Sequence, residues 1–167
     1  TPGSDMTPAI LAQKAAAQAE LCGVKYEILN EYDIEKLGMG SFLAVARGSA
    51  NPPRLIVLRY QGDPESDSTV ALVGKGITFD TGGYDIKDDE SMATMKSDMG
   101  GAAAVIGALL AIARSGIKAN VTAVVAACEN RVSGNAYLPG DVLRTMSGKT
   151  VEVINTDAEG RLTLIDA

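Results

Sequence analysis

The chain alternates between apolar segments with helical spacing and short apolar runs that are typical of strands. Thr7-Pro8 predicts the start of a helix, with Thr7 as its N-cap, and Gly23 predicts its end. Two further helices are predicted. One runs from Gly100 to Arg114, and a short one runs from Asp33 to Leu37, with Asp33 as its cap. The predicted strands are Lys25–Leu29, Phe42–Ala46, Leu55–Tyr60, Val70–Val73, Asn120–Ala127 and Val151–Ile154.

Strands that alternate with helical segments predict an α/β fold, with helices in two layers around a largely parallel, mixed central sheet. Ligands bind at the carboxyl ends of the strands in such sheets. Lys75, Asp80 and Asp157 each follow a predicted strand, and Asp98 precedes a predicted helix. These four side chains are therefore expected in one crevice.

Composition is that of one packed domain of 167 residues, with 46% apolar residues and a formal charge of −6. No run of basic residues occurs, which argues against general nucleic-acid binding. No signal peptide is visible, and the apolar stretch Ala102–Ala113 is too short to span a bilayer, so it predicts a buried helix and no membrane partner. Cys22 and Cys128 lie far apart and are predicted to be reduced thiols, which suits a cytoplasmic protein.

The chain contains no histidine, which excludes Ser-His-Asp and Cys-His catalysis and every histidine-based zinc site. Asp157, Glu159 and Arg161 stand at alternate positions directly after the predicted strand Val151–Ile154. Alternate side chains at a strand end point the same way, so the two acids are expected to reach one point. They would repel each other there unless a cation lay between them, and the alternative is a solvated acidic turn.

Two further acids upstream raise the number of candidate carboxylates to four: Asp80, Asp98, Asp157 and Glu159. Each pair at a separation of ~4 Å and an effective dielectric constant of ~20 would repel by roughly 4 kcal/mol. Two divalent cations would neutralise the cluster, and paired metal ions are a recurring hydrolytic device. Lys75, between two glycines, is by itself typical of an anion-binding or surface lysine.

The order and spacing of these residues resemble the leucine aminopeptidase family of two-metal exopeptidases. The resemblance rests on Lys75, Asp80, Lys87, Asp98 and the segment Asp157-x-Glu159-x-Arg161. Within the family, Thr81–Lys87 is most similar to the bacterial peptidase B branch. The resemblance implies that residues 1–167 form the N-terminal part of the catalytic domain, with the family's N-terminal domain before it and the rest of the catalytic domain after it.

The resemblance also implies a metal site. Asp80 and Glu159 would bridge two ions, with Asp157 on one ion and Asp98 on the other. Lys75 would be a ligand as the neutral amine. Deprotonating an ordinary lysine at pH 7 costs roughly 4–5 kcal/mol. Two nearby dications favour the uncharged amine. A nitrogen ligand among carboxylates suits Mn²⁺ or Zn²⁺ best, and Co²⁺ and Mg²⁺ stay open.

Two cationic residues are implied as catalysts. Lys87 would stabilise the developing oxyanion of the scissile carbonyl, and Arg161 would hold a bicarbonate or a water chain that relays a proton. With no imidazole available, a water activated by the metals is the expected nucleophile. The structural alternatives are that Lys87 is solvated in its charged stretch and that Arg161 pairs with Asp166.

Substrate binding is implied for Lys87, Met95, Asp98 and Asn155. Asp98 would orient the free amine of the substrate, and Met95 would line the pocket for its first side chain, the alternative for Met95 being a place in the core.

The resemblance thus implies a cytoplasmic two-metal aminopeptidase acting on short peptides, as a homohexamer in its full-length form. A catalytically inactive metal-binding fragment of such an enzyme is the main alternative. A Mg²⁺-dependent phosphohydrolase is a third hypothesis, against which stand Lys75 among the ligands and the lack of a phosphate-binding loop.

Overall fold

The computed structural model describes all residues, 1–167. The helices are α1 (Pro8–Leu21), α2 (Glu31–Lys36), α3 (Gly40–Ala46), α4 (Asp89–Ala93), α5 (Gly100–Arg114) and α6 (Glu159–Leu164), with 3-10 turns at Met95–Ser97 and Thr156–Ala158. The strands are β1 (Lys25–Leu29), β2 (Arg54–Gln61), β3 (Thr69–Asp80), β4 (Asn120–Asn130), β5 (Val142–Arg144) and β6 (Thr150–Glu152).

Four strands form a mixed sheet in the order β1-β2-β4-β3. β3 runs parallel to β4, whereas β2 is antiparallel to both β4 and β1. β5 and β6 form a separate antiparallel pair. The predicted α/β class and the mixed character of the sheet are confirmed, and β3 and β4 end side by side at Asp80 and Asn130.

Apolar side chains on the two faces of the sheet form two cores. α1 and α5 cover one face, where Leu11, Ile56, Ile106, Leu109 and Val125 are among the buried residues. α2, α3 and α6 cover the other face, where Ile34, Phe42, Ile77, Cys128 and Leu162 are among the buried residues. Burial on both faces gives the expected helix–sheet–helix layering.

A β-bulge in β3 decides which residues share a face. Ile77 pairs with Cys128 and Phe79 with Glu129, so Thr78 is an extra residue between them. Lys75 and Asp80 are five positions apart and would lie on opposite faces of a regular strand. The extra residue brings both to the face that carries α6.

Two predicted strands are wrong. Phe42–Ala46 lies in α3, where Phe42, Ala44, Val45 and Ala46 are all buried. A helix packed against both the sheet and α6 buries residues all round, so its apolar run looked like a strand. Val151–Ile154 was expected to be a buried sheet strand, but the strand there is β6, which pairs only with β5 and has an exposed Ile154 beyond its end.

Two other boundaries differ. The predicted inner strand Val70–Val73 is the first part of the twelve-residue β3, which lies at the edge of this sheet and contains Lys75 within it. The short helix α2 begins two residues before the expected start, because Asn30 and not Asp33 is its N-cap. Asn30 Oδ1 accepts from the Asp33 backbone N–H at 3.2 Å, and Asp33 Oδ2 accepts from the Asn30 N–H at 3.2 Å.

α5 is less buried than expected. Ala102, Ile106 and Leu109 face the sheet, while most of the opposite face is exposed alanine and glycine. By length and composition alone, the helical segment Met95–Arg114 would be able to cross a membrane, a criterion that helices of soluble proteins also meet. The α1 start is as predicted, with Thr7 Oγ1 accepting from the Ile10 N–H at 3.3 Å.

Candidate metal centre

Three carboxylates converge at the carboxyl ends of β3 and β4. Asp80 is the last residue of β3, Asp157 lies in the 3-10 turn Thr156–Ala158, and Glu159 begins α6. One oxygen from each lies within 4.8 Å of the others. The turn, and not strand alternation, brings Asp157 and Glu159 together, so the predicted convergence is confirmed but the expected local geometry is wrong.

Two lysines reach into the same crevice. Lys75 Nζ lies 2.6 Å from Glu159 Oε1 and 2.9 Å from Asp98 Oδ2. Lys87 Nζ lies 2.5 Å from Asp157 Oδ1 and 3.2 Å from Asp80 Oδ2. The Lys87 side chain is only 12% exposed, so the alternative that it is a solvated lysine is wrong. The four carboxylates therefore form two pairs, each with one ammonium group.

Ion pairing and burial perturb the pKa of most of these groups. Burial lowers the pKa of Lys75, but hydrogen bonds and charge from Glu159 and Asp98 outweigh it and raise the pKa above its ordinary value. Lys87 also has a raised pKa, because Asp157 and Asp80 outweigh the effect of burial. Burial raises the pKa of Asp98 and Glu159 despite the nearby Lys75. Charge in this crevice is thus not fully compensated, since four carboxylates face two ammonium groups.

The donor set fits divalent cations. Glu159 Oε1 and Asp98 Oδ2 are buried, and both face the Lys75 ammonium group, at 2.6 and 2.9 Å. Buried carboxylates are costly unless cations meet them, and here only two ammonium groups face four carboxylates. Carboxylates together with one amine form a ligand set that Mn²⁺ and Zn²⁺ accept. The residues present therefore suit the metal ions that the resemblance implies.

The loop after β3 is locked to the Asp157 turn by Thr156. Its Oγ1 donates to the Gly82 carbonyl at 2.6 Å and accepts from the Asp85 N–H at 2.8 Å, while its own N–H donates to Asp85 Oδ2 at 2.7 Å. Gly82 has a φ of +87°, a conformation that other residues rarely adopt, and a Cβ there would lie 3.2 Å from Asp157 Oδ1. The tight loop carries Lys87 back to the carboxylates.

Two buried polar residues that the sequence did not single out complete the site. Asn130 is fully buried at the end of β4, and its Nδ2 donates to Asp80 Oδ1 at 2.8 Å. Tyr137 Oη donates to the Thr156 carbonyl at 2.7 Å, and burial, followed by the charge of Glu159, raises the pKa of Tyr137. The only available signal was the position of Asn130 at the end of a buried strand, directly before Arg131.

The remaining predicted site residues make fewer contacts. Met95 is half-buried and begins the 3-10 turn that precedes Asp98. Asn155 Oδ1 accepts from the Asp157 N–H at 2.7 Å, so this side chain caps the turn that carries Asp157. Arg161 is exposed on α6 and makes no ion pair. It lines a cavity of about 350 Å³ together with Asn155, Ala158 and the β6 segment.

Arg161 also does not pair with Asp166, which was the structural alternative for it. Asp166 is buried, and its carboxylate accepts from the backbone N–H groups of Phe42 at 2.9 Å and Met146 at 2.8 Å. The guanidinium of Arg161 is therefore free to meet an anion.

Comparison with known proteins identifies the family. Residues 1–167 match the catalytic domain of the cytosol aminopeptidase family. A probable cytosol aminopeptidase of Clostridium perfringens is 56% identical over 167 residues, which are 99% of this chain and 34% of the relative. The corresponding protein of Clostridium tetani is 55% identical over 166 residues, 99% of this chain and 34% of the relative.

Solved structures agree with this result. The cytosol aminopeptidase from Coxiella burnetii superimposes with a TM-score of 0.94 at 41% identity, over 99% of this chain and 36% of the other. The bottromycin maturation enzyme BotP, solved in complex with Mn, superimposes with a TM-score of 0.93 at 41% identity over the same shares. This chain spans about a third of the length of these relatives. The predicted resemblance is confirmed, and the chain belongs to the cytosol aminopeptidase family, whose catalytic domain it matches along its whole length.

Proposed function

We propose that this chain carries the metal centre of a two-metal aminopeptidase that removes the N-terminal residue from short peptides. The observation that carries the proposal is the convergence of four carboxylates and two lysines in one crevice. Membership of the cytosol aminopeptidase family supports the reaction class and gives no support to the phosphohydrolase hypothesis.

Asp80 and Glu159 are proposed as ligands shared by two ions. Asp157 would complete the site of one ion, and Asp98 with Lys75 that of the other. The pairing in the structure supports this division, since Lys75 contacts Asp98 and Glu159 whereas Lys87 contacts Asp80 and Asp157. When bound, the metals would polarise the scissile carbonyl and lower the pKa of water. The Mn complex of BotP supports Mn²⁺ as one candidate, beside Zn²⁺.

Lys87 is proposed to stabilise negative charge on the carbonyl oxygen of the substrate. Its ammonium group is positioned by two carboxylates and largely shielded from water, where a fixed positive charge is most effective. Asp157 and Asp80 favour its charged form, which raises the pKa of Lys87. The residue is thus suited to bind an oxyanion and unsuited to act as a base.

Substrate contacts are proposed for Asp98, Met95 and Asn155 beside Lys87. Asp98 bears a carboxylate that can orient a free amine, and Met95 lies just ahead of it in the chain. Arg161 is proposed to hold a bicarbonate near the cavity that it lines. The proposal is supported by the lack of any ion pair to its guanidinium group.

Further parts of the proposal concern the whole protein. A cytoplasmic location is supported by the names of the relatives and by two free cysteines. The peptidase B branch is proposed from Thr81–Lys87, and a homohexamer of the full-length protein from the family resemblance. Short peptides are proposed as partners from the family resemblance, and a formal charge of −6 argues against nucleic acids.

Hydrolysis of leucyl p-nitroanilide tests the activity, with N-acetylated leucyl p-nitroanilide as the substrate that lacks a free amine. The assay is run on this chain and on the full-length protein, each loaded with Mn²⁺ or Zn²⁺. Only the substrate with a free amine should be hydrolysed. Lys87→Met should lower kcat by about 10²–10³-fold, while the exposed Lys96→Met should leave it unchanged.

The outcomes separate the proposal from its alternative. Metal binding by this chain, with hydrolysis only by the full-length protein, would support the alternative of a catalytically inactive metal-binding fragment. Metal binding without hydrolysis by either protein would contradict the proposed activity. Equal hydrolysis of both substrates would contradict the assignment as an exopeptidase.

A further inference from the structure

We propose that Asn130 is a positioning residue that orients Asp80, one of the two proposed shared ligands, toward the cations and holds the turn that leads into the other, Glu159. This inference rests on the proposed two-metal function. Asn130 is fully buried at the end of β4, directly opposite Asp80 in the parallel register. Its amide therefore lies between the strand that carries one shared ligand and the turn that precedes the other.

All of the amide's donors are used within the site. Asn130 Nδ2 donates to Asp80 Oδ1 at 2.8 Å and to the Thr156 carbonyl at 3.0 Å, and it lies 3.4 Å from Glu159 Oε2. The two shorter bonds take the two protons of the amide. The reversed amide would place its oxygen against two carboxylates, so the acceptors fix its orientation.

The amide selects which oxygen of Asp80 faces the cations. Asp80 Oδ1 accepts from Asn130 Nδ2 and from the Gly82 N–H at 2.8 Å, which leaves Oδ2 facing Lys87 Nζ at 3.2 Å. Glu159 is affected less directly: its Oε2 lies 3.4 Å from the same amide nitrogen, and its Oε1 faces Lys75 Nζ. Hydrogen bonds to the outer oxygen of a ligating carboxylate fix its orientation and raise metal affinity.

Asn130 Oδ1 is buried without a hydrogen-bond partner. Buried polar atoms without partners are uncommon and costly. The hydrogen bonds of this side chain are therefore made through its donors, which meet Asp80 and the carbonyl of Thr156 in the turn that carries Asp157.

Asn120 provides a matched control on the same strand. It lies at the other end of β4, and its Nδ2 donates to the carbonyls of Asp63 and Ser66, both at 2.8 Å. Asn130→Ala and Asn120→Ala each remove one amide that ties β4 to a loop. Only the first is expected to affect the metal centre.

Calorimetric titration with Mn²⁺ tests the inference on folded variants. Asn130→Ala should weaken binding by roughly 10–100-fold, and Asn120→Ala should bind like the wild type. Equal affinity of Asn130→Ala and the wild type would overturn the inference while leaving the proposed function intact. No binding by the wild type would overturn both.

A measurement on the wild type covers the case in which Asn130→Ala does not fold. Zn²⁺ is added while the side-chain amide resonances of both asparagines are followed by NMR. The Asn130 resonances should shift and those of Asn120 should stay in place. Binding of Zn²⁺ without a shift at Asn130 would overturn the inference.

Discussion

Glu159 shows how single residues control charge in the site. Its carboxylate is fully buried, with Oε1 beside Lys75 and Oε2 beside Asn130. Desolvation of a buried carboxylate outweighs the lysine's attraction, so the pKa of Glu159 is raised. Lys75 is therefore required for stability whenever no other cation is present, quite apart from any role as a ligand.

Replacing Lys75 by Met should destabilise the fold in the presence of a chelator. Glu159 and Asp98 would lose the only ammonium group within ion-pair distance of them, and removing one partner of a buried pair costs ~3–5 kcal/mol. Because the Lys75 side chain is 30% exposed, we expect a fall in the free energy of unfolding of about 2–3 kcal/mol, measured by urea denaturation.

The control for this substitution is Lys118→Met. Lys118 lies 3.7 Å from Asp63, but its side chain is 77% exposed. Exposed pairs contribute at most about 1 kcal/mol, so this variant should be close to the wild type. Equal losses in the two variants would mean that Lys75 does not compensate buried charge.

The charged residues of the site were predictable from the sequence, whereas two buried neutral ones, Asn130 and Tyr137, were not. Acids and lysines at strand ends limit the chemistry that they can perform, and Lys75, Asp80 and Asp98 were all placed correctly in one crevice. Asn130 has no charge and belongs to a common residue type, so only its three-dimensional contacts distinguish it. Tyr137 is distinguished in the same way, by its hydrogen bond to the Thr156 carbonyl.

At the scale of elements, the bulge at Thr78 positions the site. A strand pattern with a period of two would separate Lys75 from Asp80, and nothing in the local sequence marks the extra residue. The strand predicted at Phe42–Ala46 was wrong for a related reason, since a short apolar run does not distinguish a buried helix from a strand. Long periodic segments such as α1 and α5 were predicted well.

Close packing of α5 on β3 predicts the effect of a single methyl group. A Cβ on Gly74 would lie 2.6 Å from Val105 Cγ2 and 2.9 Å from the Ala102 Cα. Gly74→Ala should therefore lower the free energy of unfolding by about 1–3 kcal/mol, as overpacking does. Thermal and urea denaturation measure the change.

Gly107→Ala is the matched control on the exposed face of α5. A Cβ there meets nothing within 4 Å, and alanine favours a helix interior over glycine by roughly 0.5–1 kcal/mol. This variant should be more stable than the wild type. Stabilisation by Gly74→Ala as well would contradict the close approach of α5 to β3.

On the scale of the whole molecule, β4 lies between the two cores. Val121, Ala123 and Val125 belong to the core under α1 and α5, while Ala126 and Cys128 belong to the core under α3 and α6. The strand is also bonded on both edges, to β2 and to β3. Opening of the sheet at β4 is therefore expected to require global unfolding.

Cysteine reactivity measures this opening. Cys128 is fully buried in β4, and burial raises the pKa of its thiol, whereas Cys22 is partly exposed at the end of α1. An aromatic disulfide reagent should modify Cys22 alone in the native chain and both thiols in urea. Equally fast modification of both thiols without urea would show that β4 opens locally.

The metal content of the chain tests the central claim most directly. The wild type is dialysed against Mn²⁺ or Zn²⁺ and analysed for bound metal. Asp157→Asn is treated in the same way, as is the control Asp67→Asn, whose residue lies in the exposed loop between β2 and β3. Two ions per chain are expected in the wild type and the control, and fewer in Asp157→Asn. A folded wild type without bound metal, or an Asp157→Asn variant that keeps both ions, would contradict the account.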